Sequence, residues 1–201
     1  KHTKMLKDAV NIPVFIGHNI FSPEDAEKML AEGNADFVAL GRSQLAEPAW
    51  AKKAKEGRAS DIKPCINCLI GCIDRGMLSH TPIHCTVNPS LYRFECKPVE
   101  KAETRKQVAV VGAGPAGCEA ALTASKRGHQ VTIYEKRCIG GAMIEASKPE
   151  NKANIKRLIH YYEDHIMHDP NITLVKEEVE YETLVHSGYD AVIIADRKSV
   201  V

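Results

Sequence analysis

The chain has 201 residues, 44% of them hydrophobic, with 27 basic and 26 acidic side chains and a formal net charge of +1. That balance supplies no electrostatic field for nucleic acid. The longest apolar runs, such as 191–195, are far too short to cross a bilayer, and no N-terminal stretch has the charged and apolar regions of a secretory signal. The expectation is a soluble, cytoplasmic protein in a reducing compartment, with neither nucleic acid nor membrane among its partners.

The chain begins at Lys1 in what reads as the last turns of a helix, and is expected to be an internal fragment. IPVFI at 12–16 is a short apolar run closed by Gly17, the pattern of a buried strand. Ser22-Pro23-Glu24-Asp25 then starts a helix. Ser22 is a good N-cap, Pro23 suits the first helical position, and the two acids favour the positive end of the helix dipole. Ala26, Met29 and Leu30 form its apolar stripe and Gly33 ends it. DFVAL at 36–40 reads as a second buried strand, followed by Gly41-Arg42, and a second helix is predicted from about Glu47 to Glu56, closing at Gly57. This strand–helix alternation with short loops is the rhythm of a parallel sheet.

Residues 58–106 carry several prolines and no period, and read as a ligand-organised loop and linker. From Gln107 the alternation returns. VAVVG at 108–112 is a strand, a helix runs from Pro115 to about Lys126 and closes at Gly128, and VTIYE at 131–135 is the next strand. Gly140-Gly141 lie in a loop. Residues 151–166 form an amphipathic helix with Ile155, Leu158, Ile159, Tyr162 and Ile166 on one side, and 171–175 and 190–195 are further strands. The last six residues, DRKSVV, continue no pattern and are expected to be a non-native tail beginning at Asp196.

The most specific chemistry sits in the loop. Cys65, Cys68, Cys72 and Cys85 follow the spacing C-x2-C-x3-C-x12-C. Three thiolates within eight residues and a fourth after a short excursion suit one compact polynuclear centre, an iron–sulfur cubane with one ligand per iron. Zinc is the main rival, although it more often pairs two short knuckles across a longer gap. Disulfides fit poorly in a chain without a secretory signal. Cys96, Cys118 and Cys138 are expected to pack as small hydrophobes.

Gly112, Gly114 and Gly117 have the spacing G-x-G-x-x-G, with a strand before, a helix after and Glu135 at the tip of the next strand, about twenty residues on. Gly112 permits a tight turn, Gly114 lets backbone approach a pyrophosphate, and Gly117 lets helix and sheet pack closely. The helix N-terminus favours the phosphate charge. Glu135 is suited to a ribose 2′-OH and unsuited to a 2′-phosphate. VGAGPAG followed by Ile139-Gly140-Gly141 resembles the FAD site of flavoenzymes that bind two dinucleotides. Upstream, Gly17, Gly41 and Arg42 close two successive βα units. Glycine amides can approach a phosphate and an arginine can clamp it, although a turn glycine and a surface arginine would look the same.

In this order the motifs closely resemble the iron–sulfur flavoenzymes of the old yellow enzyme superfamily. That family includes bacterial 2,4-dienoyl-CoA reductase, 2-enoate reductase, bile-acid oxo-enoyl reductases and trimethylamine dehydrogenase. The resemblance covers nearly all of residues 10–195 and implies an α/β fold. Residues 1–60 would be the last two βα units of a TIM (β/α)8 barrel, 61–106 the cluster loop and linker, and 107–195 the N-terminal part of an FAD-binding Rossmann domain. It implies that Gly17, Gly41 and Arg42 hold the phosphate of FMN, and that the four cysteines hold a [4Fe-4S] cluster. Gly112, Gly114, Ala116, Gly117, Glu135, Lys136 and Gly141 would line FAD.

The electron path implied runs from NAD(P)H to FAD, through the cluster to FMN, and on to an activated C=C bond of a small enoyl-type substrate. The catalytic acid of such reductases lies on earlier strands, so none is named. His18 is expected to contact phosphate or solvent, and His84 to shape the surroundings of a cluster ligand. An amine dehydrogenase with ADP in the Rossmann site and a zinc-stabilised nucleotide-binding module are the alternatives. The sequence leaves oligomeric state open, a homo-oligomer included.

Overall fold

The computed structural model describes residues 2–91 and 99–196. Cys96 and residues 197–201 of the expected tail lie outside them. The chain divides into two compact units, residues 1–94 and 95–201.

The first unit opens with helix α1 (His2–Ala9), strand β1 (Phe15–Ile16), helix α2 (Pro23–Ala31) and strand β2 (Phe37–Val38). The two strands pair in parallel, Phe15 with Phe37 and Ile16 with Val38. Helix α2 starts where the capping residues place it: the Ser22 hydroxyl accepts from the Asp25 N–H at 3.1 Å. Asp36 joins the start of both strands, accepting from the Val14 N–H at 2.8 Å and from the Lys7 ammonium. Its carboxyl sits below the ordinary range because of the Lys7 hydrogen bond first and the Val14 N–H second.

The two strands were expected to be buried, and they are only partly so. Val14 and Ala35 are buried, but Phe15 is 65% exposed and Phe37 50%, their rings stacked at 4.8 Å. A ladder of two residue pairs has one face against α2 and leaves the other to these two rings. Next come helices α3 (Arg42–Ala46) and α4 (Trp50–Lys55) in place of the single helix expected over 47–56. Pro48 is the reason: it forces Glu47 into an extended conformation (φ −136°, ψ 97°), and so separates two short helices. A 3-10 turn at Ala59–Asp61 and a wide, π-helical segment at Ile70–Leu78 occupy a region in which no helix was expected.

The second unit is a four-stranded parallel sheet. Its elements are β3 (Gln107–Val111), α5 (Pro115–Lys126), β4 (Gln130–Tyr134), α6 (Met143–Ala146), α7 (Asn154–His168), β5 (Ile172–Val175), α8 (Tyr181–His186) and β6 (Ala191–Ile194). The strand order is β5-β4-β3-β6. Val110 pairs with Ile133 on one side and Ile193 on the other, so the apolar centres of three strands are in register. Val110, Val131 and Ile133 are fully buried, as is Ala121 of α5, and Leu158, Tyr162 and Ile166 of α7 are buried with them. Helix α7 begins at Asn154, after a 3-10 turn at Glu150–Lys152, and extends to His168, past the predicted end at 166. Strand β6 is an edge, and Ile194 is 70% exposed. Helices α6 and α8 are four and six residues long, too short to show a period, and fall in stretches to which the sequence reading assigned no element. Among the described residues no helix is long and apolar enough to cross a membrane.

Candidate functional site

In the first unit the four cysteines converge. Cys65, Cys68, Cys72 and Cys85 line one open cavity of about 310 Å³, with Arg42 and His84 also on its wall. All four thiols are half-buried and free. The loop takes left-handed backbone at Asn67 (φ 55°), between the first and second cysteines, and at Leu69 (φ 62°), between the second and third. Gly71 then permits a close approach by the returning segment. Its carbonyl accepts from the His84 N–H at 2.8 Å, and a Cβ there would lie 2.4 Å from the His84 carbonyl oxygen. The approach brings Cys85 beside the other three.

The thiols already have polar neighbours. The Asn67 N–H donates to Cys65 Sγ at 3.4 Å, and Cys68 Sγ lies 3.1 Å from the Thr86 hydroxyl. Burial pushes the Cys65 thiol up, so its thiolate gains from a bound metal. Among the described residues no three His, Cys, Asp or Glu side chains are placed to hold one metal ion. Four thiols on one cavity are a donor set that either a cubane or a four-cysteine zinc could use.

Next to this cavity are the residues expected at a phosphate. Gly17 follows β1, and Gly41 precedes α3 with open space where its Cβ would lie. Arg42 is half-buried, its guanidinium 5.9 Å from the centre of the Phe21 ring. It donates to Asn19 Oδ1 at 2.8 Å and to Asn67 Oδ1. Buried Ser43 donates to the Ile20 carbonyl at 2.6 Å, which ties the turn after β2 to the loop after β1. His18 and Asn19 both take positive φ, 76° and 56°. His18 is exposed. Asn19, Ser43 and Asn67 were not singled out from the sequence. Their partners lie 23 to 25 residues away, beyond any local pattern.

Ahead of the cysteine run, Glu47 anchors the chain. Its carboxylate accepts from Lys53 Nζ at 2.5 Å and from the Ala49 N–H at 3.0 Å, while Lys53 also reaches the Asp61 carbonyl at 2.7 Å. Burial pushes this carboxyl up, but the hydrogen bonds from Lys53 and Ala49 outweigh it and hold it below its ordinary value.

The second unit carries the glycines expected at a dinucleotide. Gly112 has φ +92° and no room for a side chain, since a Cβ would meet Asp196 backbone at 3.0 Å. At Gly117 a Cβ would lie 1.9 Å from the Gly112 carbonyl oxygen, so helix α5 packs on the turn only with glycine there. Gly114 faces open space, the place where a pyrophosphate could approach, and Ala116 is exposed in the first turn of α5. Gly141 (φ +51°) closes on the same spot, where a Cβ would be 3.0 Å from Gly114 Cα. The Ala113 peptide joins these parts: its carbonyl accepts from the Gly140 N–H at 2.8 Å and from the Cys118 thiol at 3.2 Å. Its N–H donates to Glu135 Oε2 at 2.9 Å, and the other Glu135 oxygen accepts from Arg137 N–H at 2.8 Å.

Glu135 is thus fixed at the end of β4, on the rim of a cavity of about 330 Å³ that also touches Gly112, Lys136, Glu177, Glu178 and Asp196. Lys136 pairs with Glu178 at 2.8 Å, and this hydrogen bond raises its pKa. Glu135, Glu177, Glu178 and Asp196 bring four carboxylates to this cavity, beside the one paired ammonium of Lys136.

Comparisons with known proteins agree with this division. Residues 1–61 match the sequence model of the NADH:flavin oxidoreductase / NADH oxidase family, and residues 106–200 match that of the pyridine nucleotide-disulphide oxidoreductases. An NADH oxidase of Thermoanaerobacter brockii is 50% identical over 153 residues, 75% of this chain and 24% of that protein. A bilirubin reductase of Mediterraneibacter gnavus (strain CC55_001C) is 35% identical over 198 residues, 97% of this chain and 30% of that protein. Among solved structures, a complex of 2-naphthoyl-CoA reductase with 2-naphthoyl-CoA superposes with a TM-score of 0.88 at 32% identity, covering 96% of this chain and 30% of that one. The chain therefore spans less than a third of the length of these relatives. The fold is α/β, the end of a TIM barrel followed by a Rossmann-type segment.

Proposed function

Since residues 1–61 belong to the NADH:flavin oxidoreductase / NADH oxidase family and residues 106–200 to the pyridine nucleotide-disulphide oxidoreductases, we propose that the chain is part of an NAD(P)H-dependent flavin and iron–sulfur oxidoreductase. Its substrate is a small molecule with an activated C=C bond, of the enoate, dienoyl-CoA or oxo-enoyl kind. The observation that carries this reading is the convergence of four cysteines and Arg42 on one cavity. The reductase names among the relatives support the substrate class.

The residues divide the work by charge and shape. Cys65, Cys68, Cys72 and Cys85 would hold a [4Fe-4S] cluster, each giving up its proton to bind. Gly17, Gly41 and Arg42 would hold the phosphate of FMN, the glycines by exposed backbone and Arg42 by its guanidinium. Gly112, Gly114, Ala116, Gly117 and Gly141 would admit the pyrophosphate of FAD, with Glu135 on the ribose and Lys136 beside it. When bound, these groups supply acceptance of a hydride from NAD(P)H, one-electron relay, and delivery of a hydride to the substrate. The protein contributes placement and tuning. His84 orders the returning segment through its backbone.

The test is the metal and flavin content of the intact gene product purified without oxygen. About four irons with matching sulfide are expected from a cubane, together with FMN and FAD, and NADH should bleach both flavins. Bound zinc without flavin would overturn the assignment.

A further inference from the structure

The Arg42 guanidinium faces two asparagines from different loops. One fork donates to Asn19 Oδ1, in the loop that follows Gly17, at 2.8 Å. The other donates to Asn67 Oδ1, inside the Cys65–Cys68 turn. Arg42 also lies on the wall of the cysteine cavity. One cation is thereby shared between the place expected to hold a phosphate and the place expected to hold the cluster.

Asn67 does three things at once. It takes left-handed backbone at φ 55°, it directs its own N–H at Cys65 Sγ at 3.4 Å, and its side-chain carbonyl accepts from Arg42. Left-handed backbone is open to glycine without cost and to asparagine or aspartate with little. Glycine would serve the first two tasks as well. Only the third requires the amide side chain, so the amide is explained by Arg42 and not by the turn.

We propose that Asn67 is a positioning residue that ties the phosphate-side Arg42 to the cysteine centre, so that a single oriented guanidinium serves both cofactor sites. A cation held against a sulfur-ligated centre favours its more negative, reduced form, and the same cation attracts a phosphate. Removing the tie should therefore weaken both effects together. Removing Asn19 should weaken only the phosphate side. The inference rests on the cofactor assignment above, and the experiment separates the two: wild-type protein without iron or FMN would end that assignment, whereas the inference is judged in protein that holds both.

The test uses the intact holoprotein with Asn67→Gly, Asn19→Gly and Arg42→Lys. Iron and sulfide are assayed, FMN affinity is measured by flavin fluorescence, and the cluster's midpoint potential by a redox titration followed by electron paramagnetic resonance. Asn67→Gly should keep its iron, bind FMN about tenfold more weakly, and shift the cluster's reduction equilibrium about tenfold toward the oxidised form, the scale of one lost charge-assisted hydrogen bond. Asn19→Gly should weaken FMN and leave the potential unmoved. Arg42→Lys keeps the charge without the fork and should move both readouts in the same direction as Asn67→Gly. The proposal is overturned if Asn67→Gly retains iron with both readouts unchanged, if it loses iron, which would make the amide a brace of the loop itself, or if Arg42→Lys leaves the potential where it was.

Discussion

The two units reach a binding shape by opposite means. In residues 107–196 the cradle is made of backbone. Steric exclusion at Gly112 and Gly117, a parallel three-strand register with its centre on β3 and peptide-to-peptide hydrogen bonds fix it. In residues 2–91 the strands are two residues long, and loops are held by side chains: Arg42 on two asparagines, Ser43 on Ile20, Glu47 on Lys53. A site shaped by packing should persist without its ligand. A site shaped by polar side chains and thiols should depend on it.

Removing iron is the strongest way to test that contrast. Hydrogen-exchange protection is expected to collapse across 65–88 and to stay unchanged across 107–134; equal loss in both units would break the comparison. Gly117→Ala attacks the other side. With a Cβ placed 1.9 Å from a carbonyl oxygen, it should cost roughly 3 kcal/mol and abolish FAD retention, as read by denaturant unfolding and flavin release.

A smaller effect is expected for Glu47→Gln, about 2 kcal/mol in unfolding of the first unit, because hydrogen bonds from Lys53 and two backbone N–H groups are weakened. The same residue gives a pH dependence. The folded pKa of Glu47 is lowered, so its contribution is fully present above the ordinary value of 4.5 and is lost as pH falls through the lower folded value. Acid titration of Glu47→Gln should lack that component of the wild-type loss. The smallest change sharpens the picture of the cysteine turn. Leu69 holds φ 62°, which is costly for leucine, so Leu69→Asn should stabilise the turn by about 0.5–1 kcal/mol in thermal unfolding while iron content stays the same.

The second unit was the more legible of the two in sequence. Its strands alternate with amphipathic helices, and Gly112 and Gly117 stand where a side chain would collide, while Gly114 opens onto free space. The first unit was legible in its cysteines and in the Ser22 cap, and much less so elsewhere. Pro48 splits a helix that the composition alone would continue. The wide turns of Ile70–Leu78 have no 3.6-residue repeat to betray them. Asn19 and Asn67 look like ordinary turn residues until Arg42 is seen between them. What escaped the sequence was chiefly contact between residues far apart in the chain, the kind that a polar site depends on and a local pattern cannot encode.

The Cys118 thiol hands its hydrogen to Ala113, is fully buried, and has its pKa pushed up to about 12 by that burial, whereas Cys138, expected to pack as a small hydrophobe, is exposed beyond the end of β4. Alkylation needs both access and a thiolate. Cys138 should react with a thiol reagent within the mixing time, and Cys118 only when α5 lifts from β3. The chain thus carries a built-in stopwatch, in which the lag between the two labels times the lifting of α5 from β3.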